Sequence, residues 1–213
     1  MLHAKSLAMN DLDFAALLVS RVCHDLVSPV GAVVNGLEVL EDETDMTMRA
    51  DALRLVAASA EQAAARLQFA RIAFGAAGSA GAELDLAEVG RIMAGLLRGG
   101  KVELAWQAHA VNWPKDWAKL LMNTVLMAAD CLPRGGRVTV ETSGDMHAPS
   151  FRVRAGGAIA RITPEAERAL TGEVEGVLDG RSIQPYLTHQ LAKNVNAQLS
   201  ATSAEGEVRF SAG

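Results

Sequence analysis

At about 100° per residue, Val19, Val22, Leu26, Val33, Leu37 and Leu40 fall on one side of a helix. Ser20, Arg21, His24, Ser28, Gly31, Asn35 and Glu38 fall on the other. The pattern predicts a helix from about Phe14 to Glu41, with Asp11 or Asp13 accepting from its first free amides. Pro29 removes one helical hydrogen bond and predicts a bend just past His24. The acidic stretch Glu41 to Asp45 is a turn, and Thr44 or Asp45 caps a second helix from about Met46 to Phe74. In that helix Leu53, Val56, Ala60, Ala63, Leu67, Ala70 and Phe74 recur every three or four residues. Two long helices and a short turn make an antiparallel hairpin. One hairpin has too little partner surface to bury both apolar stripes, whereas two copies bury them as a four-helix bundle, so a homodimer is expected.

The small, uncharged run Gly75 to Gly81 has the composition of a linker, and the pattern changes after it. Leu86 to Leu97 and Lys115 to Cys131 are helical, while Val102 to Trp106, Arg137 to Thr142 and Phe151 to Arg154 alternate as strands. A Pro133-Arg134-Gly135-Gly136 turn precedes the second of these strands, and Pro164 and Pro185 suit the first turns of two further helices. Ala197 to Thr202 and Glu207 to Ser211 form a closing hairpin. The expected fold class is α+β. Residues 1–76 form the dimerising helical hairpin, and residues 83–213 form an α/β sandwich on a mostly antiparallel sheet.

Composition narrows the function classes. The formal net charge of -5 gives a nucleic-acid partner no electrostatic support. Cys23 and Cys131 provide neither a disulfide framework nor a zinc spacing, which fits a reducing cytoplasm. Met1 to Asp13 lacks the apolar core of a secretory signal. No unbroken apolar run approaches the ~20 residues of a membrane span, so no membrane association is expected and the localisation is read as cytoplasmic.

His24 lies mid-helix on the polar side, beside a carboxylate. A solvated imidazole there is an accessible nucleophile or proton carrier near neutral pH. His24-Asp25-Leu26-Val27-Ser28-Pro29 resembles the H-box of two-component histidine kinases, whose histidine carries a phosphoryl group. The second half resembles their ATP-binding domain, most closely over Leu120 to Val140, which is similar to the N-box helix with its following turn and strand. Asn123 matches the first N-box asparagine, but Met127 stands at the second, and a thioether is a poor ligand for Mg²⁺. The expected Asp-x-Gly-x-Gly box reads Ala155-Gly156-Gly157-Ala158-Ile159, without its carboxylate. The phosphate-binding loop position reads Gly180-Arg181-Ser182-Ile183-Gln184-Pro185, with one glycine and a proline. The nucleotide boxes are damaged while the hydrophobic frame is kept.

An H-box hairpin followed by a degenerate ATP-binding domain resembles the histidine phosphotransferases of alphaproteobacteria, over nearly the whole chain. The runs "RVCHDLVSPVGAVVNGLEVLED" and "LQFARIAFGA" carry that likeness alongside the boxes. The resemblance implies a cell-cycle phosphorelay in which a receiver-domain aspartyl phosphate of a hybrid kinase (CckA-like) donates to His24. His24 then passes the group to receivers of response regulators (CtrA-like and CpdR-like). In that scheme Asp25 holds the imidazole or acts as base, and Arg21, one turn earlier, meets phosphate oxygens. Ser28 occupies the place where phosphatase-competent relatives carry Thr or Asn. Ser20, Gly31 and Asn35 would belong to the surface a receiver covers. The chain itself would bind no cofactor, and Mg²⁺ would sit in the receiver's acidic pocket. An ATP-dependent histidine kinase and a non-catalytic dimeric adaptor that sequesters receivers are the alternatives.

Overall fold

The computed structural model describes residues 10–75, 82–109, 111–172 and 182–213. Two long helices come first: α1 (Asp11–Asp42) and α2 (Met46–Ala73). The cap of α1 is Asn10, whose side chain accepts from the Asp13 amide; neither Asp11 nor Asp13 caps it, because both already lie inside the first turn. There their charge favours the positive end of the helix dipole. Asp45 caps α2 by accepting from the amides of Thr47 and Met48. Arg49 closes the turn by donating to the carbonyl oxygens of Leu40 and Glu43.

Close approach of the two helices depends on Gly36. A Cβ there would stand 2.6 Å from Val56 Cγ2 and 3.5 Å from the Ala52 carbonyl oxygen. Pro29, two turns before Gly36, is also buried, and α1 passes through it as one continuous helix.

The single apolar face expected of α1 is divided in two. Val22, Leu26, Val33 and Leu40 are half-buried, whereas Val19 and Leu37 stand exposed with Val27, Val30 and Val34. Helix α2 likewise exposes Leu53 and Leu67, with Ala57, Ala60 and Ala64 between them. By length and composition α1 does fall in the membrane-spanning range, with mean hydropathy 1.5 over 18 residues. The run-length criterion missed this because isolated polar residues break every apolar run without lowering the average.

The second half is a two-layer α/β sandwich, and with the hairpin it makes a mixed α+β fold. Its elements are β1 (Glu83–Asp85), α3 (Leu86–Leu97), β2 (Val102–Gln107), β3 (Asn112–Pro114), α4 (Lys115–Asp130) and β4 (Gly136–Ser143). There follow β5 (Ser150–Gly156), α5 (Pro164–Leu170), α6 (Ile183–Asn194), β6 (Ser200–Ala204) and β7 (Glu207–Ala212). The main sheet runs β2-β4-β5-β7-β6; only β2 and β4 are parallel, as their crossover through α4 requires. The sequence pattern did not reveal β1 and β3, which pair as a separate three-residue ribbon.

One sheet face carries Val138, Val140, Phe151, Val153, Ala155, Val208 and Phe210, all buried under the helices. The other is wet and laced with ion pairs such as Arg137–Glu103 and Arg154–Glu141. Gly135 and Gly136 adopt positive φ in the tight turn before β4, where a Cβ on Gly135 would meet the Lys101 carbonyl at 2.5 Å. The hairpin is not a separate appendage: Phe69, Ile72 and Ala73 of α2 enter the same core as α3 and α4.

Candidate functional site

Besides the shared core, polar and ring contacts among the described residues tie the hairpin to the α/β domain. The rings of Phe14 and Tyr186 meet edge to face at 5.8 Å, joining α1 to α6. Lys119 Nζ donates to the Gly75 carbonyl at 2.7 Å, just past the end of α2. Asn123 donates to the Ala73 carbonyl at 3.4 Å. Arg21 of α1 faces Asp130, the last residue of α4, at 4.0 Å.

Between these contacts lies an open cleft of about 900 Å³, walled by α1 on one side and by the end of α4, residues 161–163 and α5 on the other. His24 stands at its edge with 87% of its side chain exposed. Nδ1 lies 3.5 Å from Asp25 Oδ1, at the outer limit of a hydrogen bond. Arg21 Nε donates to Asp25 Oδ2 at 3.0 Å across one helical turn. Asp130, Arg21 and Asp25 therefore form a line of alternating charge that ends at the imidazole. The Arg21 side chain is only 17% exposed, so it leaves the open polar stripe on which the helical period placed it, and that of Asp25 is 30% exposed. They turn toward the α/β domain.

Partial burial raises the Asp130 carboxyl from its usual range; Arg21 pulls it down, and Asp25 adds a smaller upward push. The ion pair with Arg21 offsets only part of that loss of water. Burial, then the charge of Asp130, push the neighbouring Cys131 thiol up to about 12. Cys131 is thus an uncharged, unreactive part of the cleft wall.

The remaining sequence-predicted positions separate. Ser20 lines the same cleft as His24. Ser28 is exposed one turn beyond the histidine. Gly31 has open space where a Cβ would be, so nothing among the described residues requires its smallness. Asn35 lies further off, in a shallow groove with Glu38, Asp42 and Met48 at the turn end of the hairpin.

The opposite wall, with Asp130, Arg161, Thr163 and Glu165, was not foreseen. Only tertiary folding brings these residues to His24. The one local signal was Thr163 before Pro164, and Thr163 does cap α5 by accepting from the Ala166 amide.

Three positions of the nucleotide boxes, Asn123, Met127 and Ala155, sit in packed protein. Asn123 is fully buried; besides its bond to Ala73 it donates to the Lys119 carbonyl at 2.8 Å and accepts from Gln184 Nε2. Met127 is buried, and Ala155 lies mid-strand between Val138 and Val208. Gly180 and Arg181 of the phosphate-loop position lie outside the described residues. Among the described residues no group of three His, Cys, Asp or Glu side chains could hold a metal ion.

Comparisons with known proteins agree with this architecture. The family model for the histidine phosphotransferase C-terminal domain matches residues 86–207. The protein phosphotransferase ChpT of Brucella abortus (strain 2308) is 40% identical over 205 residues, covering 96% of this chain and 97% of that protein. A solved bacterial phosphotransferase is 38% identical, covers 97% of this chain and 98% of its own, and superposes with a TM-score of 0.87. The histidine kinase AdeS of Acinetobacter baumannii aligns more distantly, at 12% identity over 89% of this chain and a TM-score of 0.46. The family model over residues 86–207 and the two phosphotransferase relatives that span nearly the whole chain decide the assignment: the chain belongs to the histidine phosphotransferase family and is a protein phosphotransferase.

Proposed function

We propose that this phosphotransferase relays a phosphoryl group through His24, taking it from a receiver-domain aspartate and passing it to another. The observation that carries this reading is the 87% exposure of His24 at the edge of a wide cleft, with Asp25 beside Nδ1. Asp25 holds the ring proton on Nδ1, which leaves the Nε2 lone pair facing out. Nε2 attacks the aspartyl phosphorus in line, the P–N bond forms, and the acyl P–O bond breaks with its electron pair returning to the carboxylate. Asp25 then balances the charge of the phosphorylated ring, and the reverse step loads the next receiver. Arg21 orients Asp25 and adds positive charge near the incoming phosphate. Ser28, exposed one turn on, is a minor contact.

The working form is a homodimer. The exposed positions Val27, Val30, Val34 and Leu37 on α1, and Leu53, Ala57, Ala60, Ala64 and Leu67 on α2, follow three-four spacing. That spacing is the repeat of a helical bundle seam. A second copy suits this surface better than lipid does, because Arg21, His24 and Asp25 occupy the middle of α1 and charge in a bilayer is costly. We accordingly place the protein in the cytoplasm, without membrane or nucleic acid as partner.

A receiver approaching His24 covers Ser20 and the bare backbone at Gly31, with Asn35 at the far margin. Mg²⁺ belongs to the receiver, and this chain uses no ATP. By resemblance the donor is the receiver of a CckA-like hybrid kinase and the acceptors are CtrA-like and CpdR-like regulators of the cell cycle. The test is transfer from each phosphorylated receiver to wild type and to His24→Ala. Loss of labelling in a folded, dimeric His24→Ala supports the relay, and undiminished labelling of that variant refutes it.

A further inference from the structure

Pro29 has no amide hydrogen, so it leaves the main-chain carbonyl four residues earlier, that of Asp25, without its helical donor. Arg66 supplies the missing donor. From α2 its Nη1 reaches the Asp25 carbonyl oxygen at 2.7 Å, across 41 residues of sequence. Its Nε is buried without a hydrogen-bond partner. The side chain lines a second cavity of about 340 Å³ behind the site, together with Arg21, Asp25 and Asp130. Asp25 is therefore gripped twice: Arg21 holds its carboxylate at 3.0 Å and Arg66 holds its backbone. The second grip falls on the residue that follows His24, at the place where proline has weakened the helix.

We propose that Arg66 is a positioning residue for phosphoryl transfer. By donating to the proline-freed carbonyl of Asp25, it fixes the turn of α1 that sets Asp25 against Nδ1 and aims Nε2 at the incoming phosphorus. The inference rests on His24 being the acceptor. Without Arg66 the turn around Pro29 loses the cross-helix hydrogen bond at this carbonyl, and α1 relaxes there. In-line transfer is sensitive to such a shift: misplacement by about 1 Å costs on the order of 10²-fold in rate. An arginine that merely stabilised the hairpin would change the melting temperature and leave the rate of folded protein alone.

Single-turnover transfer separates these cases. The donor is the organism's hybrid-kinase receiver domain loaded with acetyl phosphate, and rates are normalised to folded full-length protein. R66M is expected to lower the saturating rate at least tenfold, with the half-saturating receiver concentration unchanged within twofold. R66K, which keeps a donor, recovers most of the rate. P29A restores the amide at position 29, so adding R66M to P29A changes the saturating rate less than threefold. Folded R66M that transfers at the wild-type saturating rate would overturn the proposal. So would an R66M defect equally large with and without P29A, which remains measurable through R66K and the double variant if R66M alone folds poorly. Wild type that accepts no phosphate overturns the His24 reading itself, whereas normal wild-type transfer with an insensitive R66M overturns only the role of Arg66.

Discussion

Asn123 donates its side-chain amide to the main-chain carbonyl of Ala73, the last residue of α2, at 3.4 Å. In a nucleotide-binding helix of this design the same position faces Mg²⁺ and phosphate. Here it joins the two halves of the molecule and also accepts from Gln184 Nε2. Removing it strands buried partners, each worth about 1–3 kcal/mol when unsatisfied. Asn123→Ala is expected to lower unfolding free energy by about that amount in urea denaturation, with the slope unchanged. Stability equal to wild type would show the bond to be incidental.

The same packing bears on ATP. Asn123 is committed, Met127 is buried and Ala155 lies in mid-strand, so none of these three described positions offers a carboxylate or a free amide to a nucleotide. Calorimetric titration with millimolar ATP is expected to give no saturable heat, and Mg-ATP alone should leave His24 unlabelled. Micromolar binding, or label on His24 from ATP, would restore the kinase alternative.

Val34 lies in the middle of the exposed apolar stripe and is 48% exposed. Val34→Glu should raise the dimer dissociation constant at least tenfold, ~1.4 kcal/mol, as read by analytical ultracentrifugation. Melting of the α/β domain should not change. A dimer of wild-type affinity would place the partner copy elsewhere.

Gly31 has nothing within 4 Å of a virtual Cβ, in contrast to Gly36, where Val56 Cγ2 stands at 2.6 Å. A larger side chain at 31 is therefore tolerated by the chain itself and opposed by whatever docks there. Gly31→Arg should keep the fold and the dimer but slow transfer at least tenfold, or ~1.4 kcal/mol. A lower melting temperature with unaltered transfer per folded dimer would remove Gly31 from the docking surface.

The contrast between those two glycines shows how far the sequence could be read. Helical period placed α3 at Leu86–Leu97, and Asp45 as a cap followed from chemistry confined to a few residues. The same period treated α1 as having one apolar and one polar side. In fact three surfaces claim it: α2 takes Gly36, the α/β domain takes Arg21 and Asp25, and a third apolar stripe stays exposed. A two-way division of residues cannot resolve three partners. The ribbon of β1 and β3 escaped because three residues are too few for alternation to register.

At the site, His24, Asp25 and Arg21 were legible because one helical turn brings them together. Arg66 and Asp130 were not, since they reach α1 only through folding, which also sets Arg161 on the facing wall of the cleft. Proline was the one clue to Arg66. A helical carbonyl deprived of its donor must find another, but the sequence does not say from where.

The relay depends on which atom of which residue carries the phosphate. Phosphorus NMR of the full-length protein after transfer from a phosphorylated receiver, combined with peptide mapping under basic conditions, identifies both. The expected result is a single acid-labile, base-stable phosphoramidate on His24, bonded through Nε2, because Asp25 Oδ1 stands against Nδ1 at 3.5 Å. Phosphate on any other residue would contradict the relay through His24, and phosphate on Nδ1 would contradict the role given to Asp25.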